Sequence, residues 1–292
     1  MLGRKINFGD LSISIISYCI VSLFAIACFL PFFYVFTYSI TPFEDYLRNP
    51  MNFIPRNINF DAYLRVFEFK MIRTGYLNTL FITVVGTAIH ILLLIMTAYP
   101  LTKKHLKGRK LVLSMFVLTM FFHGGMIPNY YLMRTLNLIN TLWALVLPGA
   151  LGAYSMILMK NFISEIPESL EEAAIIDGAN EITVLFRIIL PLCIPSIVTL
   201  SLFHAVAAWN SYFSAILYVS KRSLWPLQLV LRELIIESGI NEVNAVADES
   251  ERLTPFTLKM AAIMVTTLPI MCVYPFLQKY FMKGLLLGGV KG

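Results

Sequence analysis

From Leu11 to Pro42 the chain carries no Asp, Glu, Lys or Arg, and that single feature restricts its fold more than any other. An uncharged apolar run needs only about 20 residues, as a helix, to cross the hydrocarbon of a bilayer. A helix is also the form that bonds every backbone group within the segment itself. Five more runs follow, at 76–101, 111–127, 142–159, 194–219 and 256–277, and Lys259 is the one charged residue among them. The composition agrees, at 58% hydrophobic and 14% charged where soluble domains have about 45–50% and about 25%. The predicted fold class is all-α, a polytopic membrane protein with six transmembrane helices at about 11–40, 76–101, 111–127, 142–159, 194–219 and 256–277 in one transmembrane domain over 1–292.

The same arrangement excludes other classes. The net charge is +6, but Lys and Arg collect at the ends of apolar runs, as membrane-flanking residues do, so no nucleic-acid partner is implied. Cys19, Cys28, Cys193 and Cys272 lie inside or beside the runs, where a thiol acts as a small hydrophobe; no disulfide framework follows. Arg4 and Lys5 resemble a signal-peptide head, yet the run behind them is too long for a cleavable segment, so it reads as a retained first span. Residues 43–73, with Asn49, Pro50 and Pro55, read as a polar loop. The densest basic cluster, five of the eight residues 103–110, follows the second span and predicts that this loop is cytoplasmic. Six spans then place both termini on that side. An outer segment, 220–256, holds Arg232, Glu233, Glu237, Glu242, Asp248, Glu249, Glu251 and Arg252.

Gly124 and Gly125, with Pro128 behind them, predict a break at the end of the third span, because such residues loosen a membrane helix where neighbours re-satisfy its backbone. The long charged segment lies between spans four and five. Ser169 and Glu172 have capping-box spacing and predict a helix start. Leu170, Ala173, Ala174 and Asp177 share one face, and Gly178 suits the left-handed turn that ends such a helix. Ile182, Leu185, Phe186 and Ile189 then form a second apolar stripe, and Pro191 and Pro195 stop it. Two short helices about a sharp turn, at about 166–190, are shaped to lie on another protein or to cover the ends of the chain's own spans.

The spacing of Glu172-Ala173-Ala174, then Gly178, Ile188 and Leu190-Pro191 matches the signature of permease subunits of bacterial ATP-binding-cassette importers, which the chain resembles. Phe53-Ile-Pro55, Tyr63, Asn78-Thr79, Trp209-Asn210 and the run Gly288 to Gly292 are similar to the maltose-type carbohydrate branch. Gly124 to Pro128 and Asn137 to Trp143 resemble its oligosaccharide subgroup, which includes alginate- and pectin-type importers. The resemblance implies a permease subunit in the bacterial cytoplasmic (inner) membrane. It would form half of a pathway for a sugar or oligosaccharide, acidic fragments included, and work by alternating access. The helix pair is then a coupling helix, with Glu172, Ala173, Ala174, Asp177, Gly178 and Leu185 in contact with an ATPase subunit. The implied partners are a second homologous permease, two ATPase subunits, an extracytoplasmic solute-binding protein and the bilayer. No cofactor is expected on this chain; ATP and Mg belong to the ATPase subunits.

Polar groups within spans are functional candidates, here His90, His123, His204, Asn210 and Lys259. Trp209 and Asn210 suit a sugar pathway, an aromatic face for the pyranose and an amide for its hydroxyls; the alternative is that Asn210 bonds a neighbouring helix and Trp209 sits at the bilayer interface. The histidines read as packing, and Lys259 as a snorkelling residue. A permease for a non-sugar solute is one alternative and an integral-membrane enzyme another. The latter needs H-E-x-x-H, G-x-S-x-G or paired acids, which the sequence lacks; it also lacks G-x4-G-K-[ST], so no ATP hydrolysis of its own is expected. No metal site is expected.

Overall fold

The computed structural model describes residues 8–42, 45, 54, 55, 57–244 and 255–289. Arg4, Lys5, Asn49, Pro50, Phe53, Arg56, Asp248, Glu249, Glu251, Arg252 and residues 290–292 lie outside them, as do the side chains of Glu237, Glu242, Lys279 and Lys283. Every regular element among the described residues is helical. Three helices are long and apolar enough to cross a membrane, Ile13–Ser39, Lys70–Thr102 and Phe256–Val273, and three bent helix pairs raise the number to six if each pair is one span.

By internal contact the chain divides into two units. The first, Met1–Phe69 with Leu234–Thr267, contains α1 (Phe8–Ser39) and α2 (Asp61–Glu68). Its core gathers where α1 ends. Tyr38 and Val66 are fully buried, Tyr38 meets Phe256 edge to face at 6.1 Å, and Ser39 Oγ lies 2.6 Å from the Tyr63 hydroxyl. Tyr63, noted above only for its resemblance, therefore fixes the chain beyond α1. The side chains of α1 from 13 to 33 are exposed, as suits a helix whose surroundings are apolar.

The second unit, Lys70–Glu233 with Leu268–Gly292, is built on α3 (Lys70–Ala98), which packs along α11 (Ile194–Trp209) and α7 (Ala153–Ser164). Leu94, Ala98, Met156, Met159, Ile163, Val184, Ile189, Cys193 and Leu200 form its main core. Several spans are not the straight helices that the apolar runs predict. Gly125 adopts φ 86° and ψ 170°, a glycine-only conformation, and the chain turns by 119° between α4 (Arg109–Phe121) and α5 (Met126–Thr135). The break therefore falls at the expected glycines, but the run 111–127 is cut at Phe121. Pro148 sits in a 3-10 turn, and the fourth run bends by 51° between α6 (Trp143–Val146), with that turn, and α7. The fifth run stops at Trp209 and resumes as α12 (Phe213–Tyr218); at the break the Asn210 amide donates to the Val206 carbonyl at 2.8 Å.

Two motifs of the resemblance are held by specific bonds. Asn78 Nδ2 donates to the Ser223 and Trp225 carbonyls, both at 3.0 Å, while Thr79 Oγ1 accepts from the Leu227 N–H at 2.8 Å. These bonds seat the start of α13 (Leu227–Asn244) against α3. Asn137 and Asn140 have positive φ, 56° and 61°, and Asn140 Oδ1 accepts from Ser220 N at 2.7 Å. Asparagine tolerates that backbone better than most residues, which gives both positions a conformational reason.

Candidate functional site

The segment between the fourth and fifth runs forms α8 (Glu168–Ile176), α9 (Glu181–Val184), a π-helical stretch at Leu185–Ile189 and α10 (Leu190–Leu192). Its start differs from expectation. Pro167 is the N-cap, so Ser169 lies inside the first turn and makes no cap bond. Glu168 and Glu171 occupy that turn, where the helix dipole favours negative charge. The end is as expected. Gly178 has φ +85°, the Ala179 N–H reaches the Ala174 carbonyl at 2.9 Å, and the Gly178 N–H reaches the Ile175 carbonyl at 3.0 Å. This pair of bonds is the Schellman arrangement. Asn180 then caps α9 by accepting from the Thr183 N–H at 2.8 Å.

The turn presents a bare surface. Glu172, Ala173, Asp177 and Gly178 are exposed, and nothing lies within 4 Å of the position a Gly178 Cβ would take. Around them stand apolar side chains open to the surroundings: Ile176 at 84%, Ile182 at 69% and Phe186 at 60% exposure. Ala174 and Leu185 are half-buried and pack against the main core. The stripe of Ile182, Leu185, Phe186 and Ile189 is thus split, Ile189 and Leu185 inward and Ile182 and Phe186 outward. The π-helical stretch changes the residues per turn, and an ordinary helical wheel does not register this.

Two ion pairs reach α8, one sheltered and one open to solvent. Lys103 pairs with Glu171 and Lys104 with Glu168, the latter at 2.7 Å. Partial burial opposes the charge on Lys103, but its hydrogen bonds to Glu171 and Tyr99 and the Glu171 charge outweigh this and hold its pKa above the ordinary lysine value. The Lys104 hydrogen bond and charge hold Glu168 below the usual carboxylate range. The basic cluster serves above only to orient the chain; its lysines and these acids lie more than 60 residues apart, and the fold alone brings them together.

Trp209 and Asn210 do not face the same way. The Trp209 ring is buried and meets Tyr76 edge to face at 5.7 Å, while Asn210 is exposed. The Arg232 guanidinium lies 6.0 Å from the Tyr212 ring and makes no ion pair among the described residues. We expect Trp209→Ala to lower the yield of assembled protein, since emptying a buried Trp site costs about 3–5 kcal/mol, and Asn210→Leu to leave yield intact. Membrane-fraction yield by immunoblot checks both; equal yields would contradict the assignment.

His90 and His204 stack at 4.3 Å between α3 and α11. His90 Nδ1 donates to the Ala150 carbonyl at 3.0 Å, since a carbonyl only accepts, and His204 Nδ1 lies 3.0 Å from Thr87 Oγ1. Both act in interhelical packing. His123 is exposed and Lys259 half-buried. Among the described residues no group of three or more His, Cys, Asp or Glu side chains is placed to hold a metal.

Residues 111–286 match the family described as binding-protein-dependent transport system inner membrane component. The chain is 42% identical over 275 residues to the polygalacturonan/rhamnogalacturonan transport system permease protein YtcP of Bacillus subtilis (strain 168), spanning 92% of this chain and 95% of that one. It is 43% identical over 263 residues to Protein LplC of the same strain, spanning 90% and 89%. Among solved structures, a bacterial ABC transporter involved in the import of the acidic polysaccharide alginate superposes with a TM-score of 0.84 at 32% identity, over 96% of this chain and 100% of that one. A helical chain of apolar runs, carrying the Glu-Ala-Ala segment and similar over more than nine-tenths of its length to a transport-system permease and to a chain of an ABC transporter, belongs to the family of binding-protein-dependent transport system inner membrane components.

Proposed function

We propose that this permease imports an acidic oligosaccharide and that residues 166–190 dock on an ATP-hydrolysing subunit. One observation carries the docking reading. The Schellman turn at Gly178 projects Glu172, Ala173, Asp177 and the apolar Ile176 clear of the chain, and an exposed apolar patch rimmed by polar groups marks an interaction surface. The small side chain of the exposed Ala173 permits a partner's close approach. ATP and Mg are bound on that partner, so the energy enters through α8. The basic residues at 103–110 put this surface and both termini on the cytoplasmic side. Two ATPase subunits, a second permease, a solute-binding protein and six spans in one transmembrane domain complete the assembly.

The cargo reading rests on the relatives named for polygalacturonan/rhamnogalacturonan transport and for import of an acidic polysaccharide. Arg232, a cation without an ion pair among the described residues, stands over Tyr212 and offers a carboxylate a partner. Cells carrying the full transporter are expected to take up labelled trigalacturonate and not maltotriose. Arg232→Gln is expected to slow trigalacturonate uptake about fivefold, the effect of losing about 1 kcal/mol at an exposed charge contact. Uptake of maltotriose in preference to trigalacturonate would overturn the acidic reading.

A further inference from the structure

We propose that Lys103 is a positioning residue that latches α8 to the end of α3, so that movement imposed on the docking segment is passed into α3. The inference rests on the docking reading above. The connection is short and braced. A 3-10 turn, Pro100–Thr102, follows α3, the Lys103 N–H bonds to the Pro100 carbonyl, and Arg109 Nε donates to the Leu101 carbonyl at 2.7 Å. From this rigid end the Lys103 ammonium reaches Glu171 while standing 4.6 Å from the centre of the Tyr99 ring.

The other contacts of α8 with the chain are of a different kind. Ala174 packs on the main core through apolar surface, and apolar burial is non-directional, so it resists separation of α8 better than sliding. A charged hydrogen bond has a set geometry and holds the register. The two ion pairs are not equivalent. The side chains of Lys103 and Glu171 are 19% and 16% exposed, those of Lys104 and Glu168 78% and 70%. Solvent screens the second pair to almost no effect, so the latch is Lys103 with Glu171. α3 in turn packs along α11 and α7, which gives the displacement a route into the bundle.

The test uses the purified complete complex, with the native cysteines of this chain replaced by serine and an environment-sensitive fluorophore on a cysteine at the exposed position 77 of α3. The readout is the fluorescence change on ATP–vanadate trapping, measured beside complex yield and ATP hydrolysis. Lys103→Ala is expected to cut the change about fivefold with hydrolysis retained, Lys103→Arg to keep most of it, and Lys104→Ala to match the parent. The exchange Lys103→Glu with Glu171→Lys is expected to restore at least half. A parental signal in Lys103→Ala, an equal loss in Lys104→Ala, or an exchange no better than the single variants would overturn the latch. Should Lys103→Ala fail to assemble, the exchange carries the test: assembly with the signal supports the latch, and assembly without it overturns the latch. Failure of the docking reading shows separately, as complexes whose ATPase subunits are indifferent to substitution at Gly178 and Ile176.

Discussion

Gly178→Val is expected to abolish most uptake while the chain still reaches the membrane in normal amount. The reason is backbone conformation alone, because no atom lies within 4 Å of the site a Cβ would occupy, yet φ is +85°. A left-handed backbone costs an L-residue about 1–2 kcal/mol, and a β-branched side chain is a worse case. If the turn opens, the Ala179 to Ala174 and Gly178 to Ile175 bonds go with it, and the surface of Glu172, Ala173 and Asp177 loses its shape. Gly178→Asn serves as the control, since asparagine tolerates this region; it is expected to keep most activity. Uptake and membrane yield measured together decide the matter. Normal uptake in Gly178→Val would show that the turn does not shape a functional surface, and lost yield in both variants would make it a folding element.

Ile176→Asp is expected to release the ATPase subunits. Ile176 is the most exposed apolar side chain of the segment, at 84%, so its replacement removes almost nothing from the chain's own packing. Docked, it would contribute the roughly 1.5–3 kcal/mol of a fully buried aliphatic side chain. A buried carboxylate without a partner costs more still. A fall in ATPase co-purification of at least tenfold follows, with the permease chain itself present in normal amount. Co-purification at the parental level would place Ile176 outside the interface.

The three long apolar helices, Ile13–Ser39, Lys70–Thr102 and Phe256–Val273, were legible because charge is expensive in hydrocarbon, and each overlaps an apolar run. Breaks within the runs were legible only where a residue type demands one. Gly124-Gly125 signalled the turn by 119°, whereas no glycine or proline marks the end of α11 at Trp209. The turn at Gly178 was readable for the same reason as that at Gly125, a backbone that favours glycine. The helix start was misread at Ser169 because Pro167, with its fixed φ, takes the cap position first. The split of the apolar stripe came from a π-helical stretch that a 3.6-residue period misses.

Of the candidate site, the small residues of the exposed turn, Ala173 and Gly178, stood out by their spacing. The sequence placed Trp209 and Asn210 together, and the fold separates them, the ring inward against Tyr76 and the amide outward. The pairing of Lys103 with Glu171 joins positions 68 apart in the chain, so no local pattern announces it. Tyr212 and Arg232 are likewise brought together only by the fold.

The central claim is that the surface around Ala173 receives the ATPase subunit. A photo-crosslinking amino acid at position 173, in the complete transporter isolated in its native membrane, tests it most directly, because Ala173 is exposed and its replacement disturbs little. Irradiation is predicted to join the chain to the ATP-hydrolysing subunit, identified by mass. Adducts confined to lipid or to the chain itself would contradict the account.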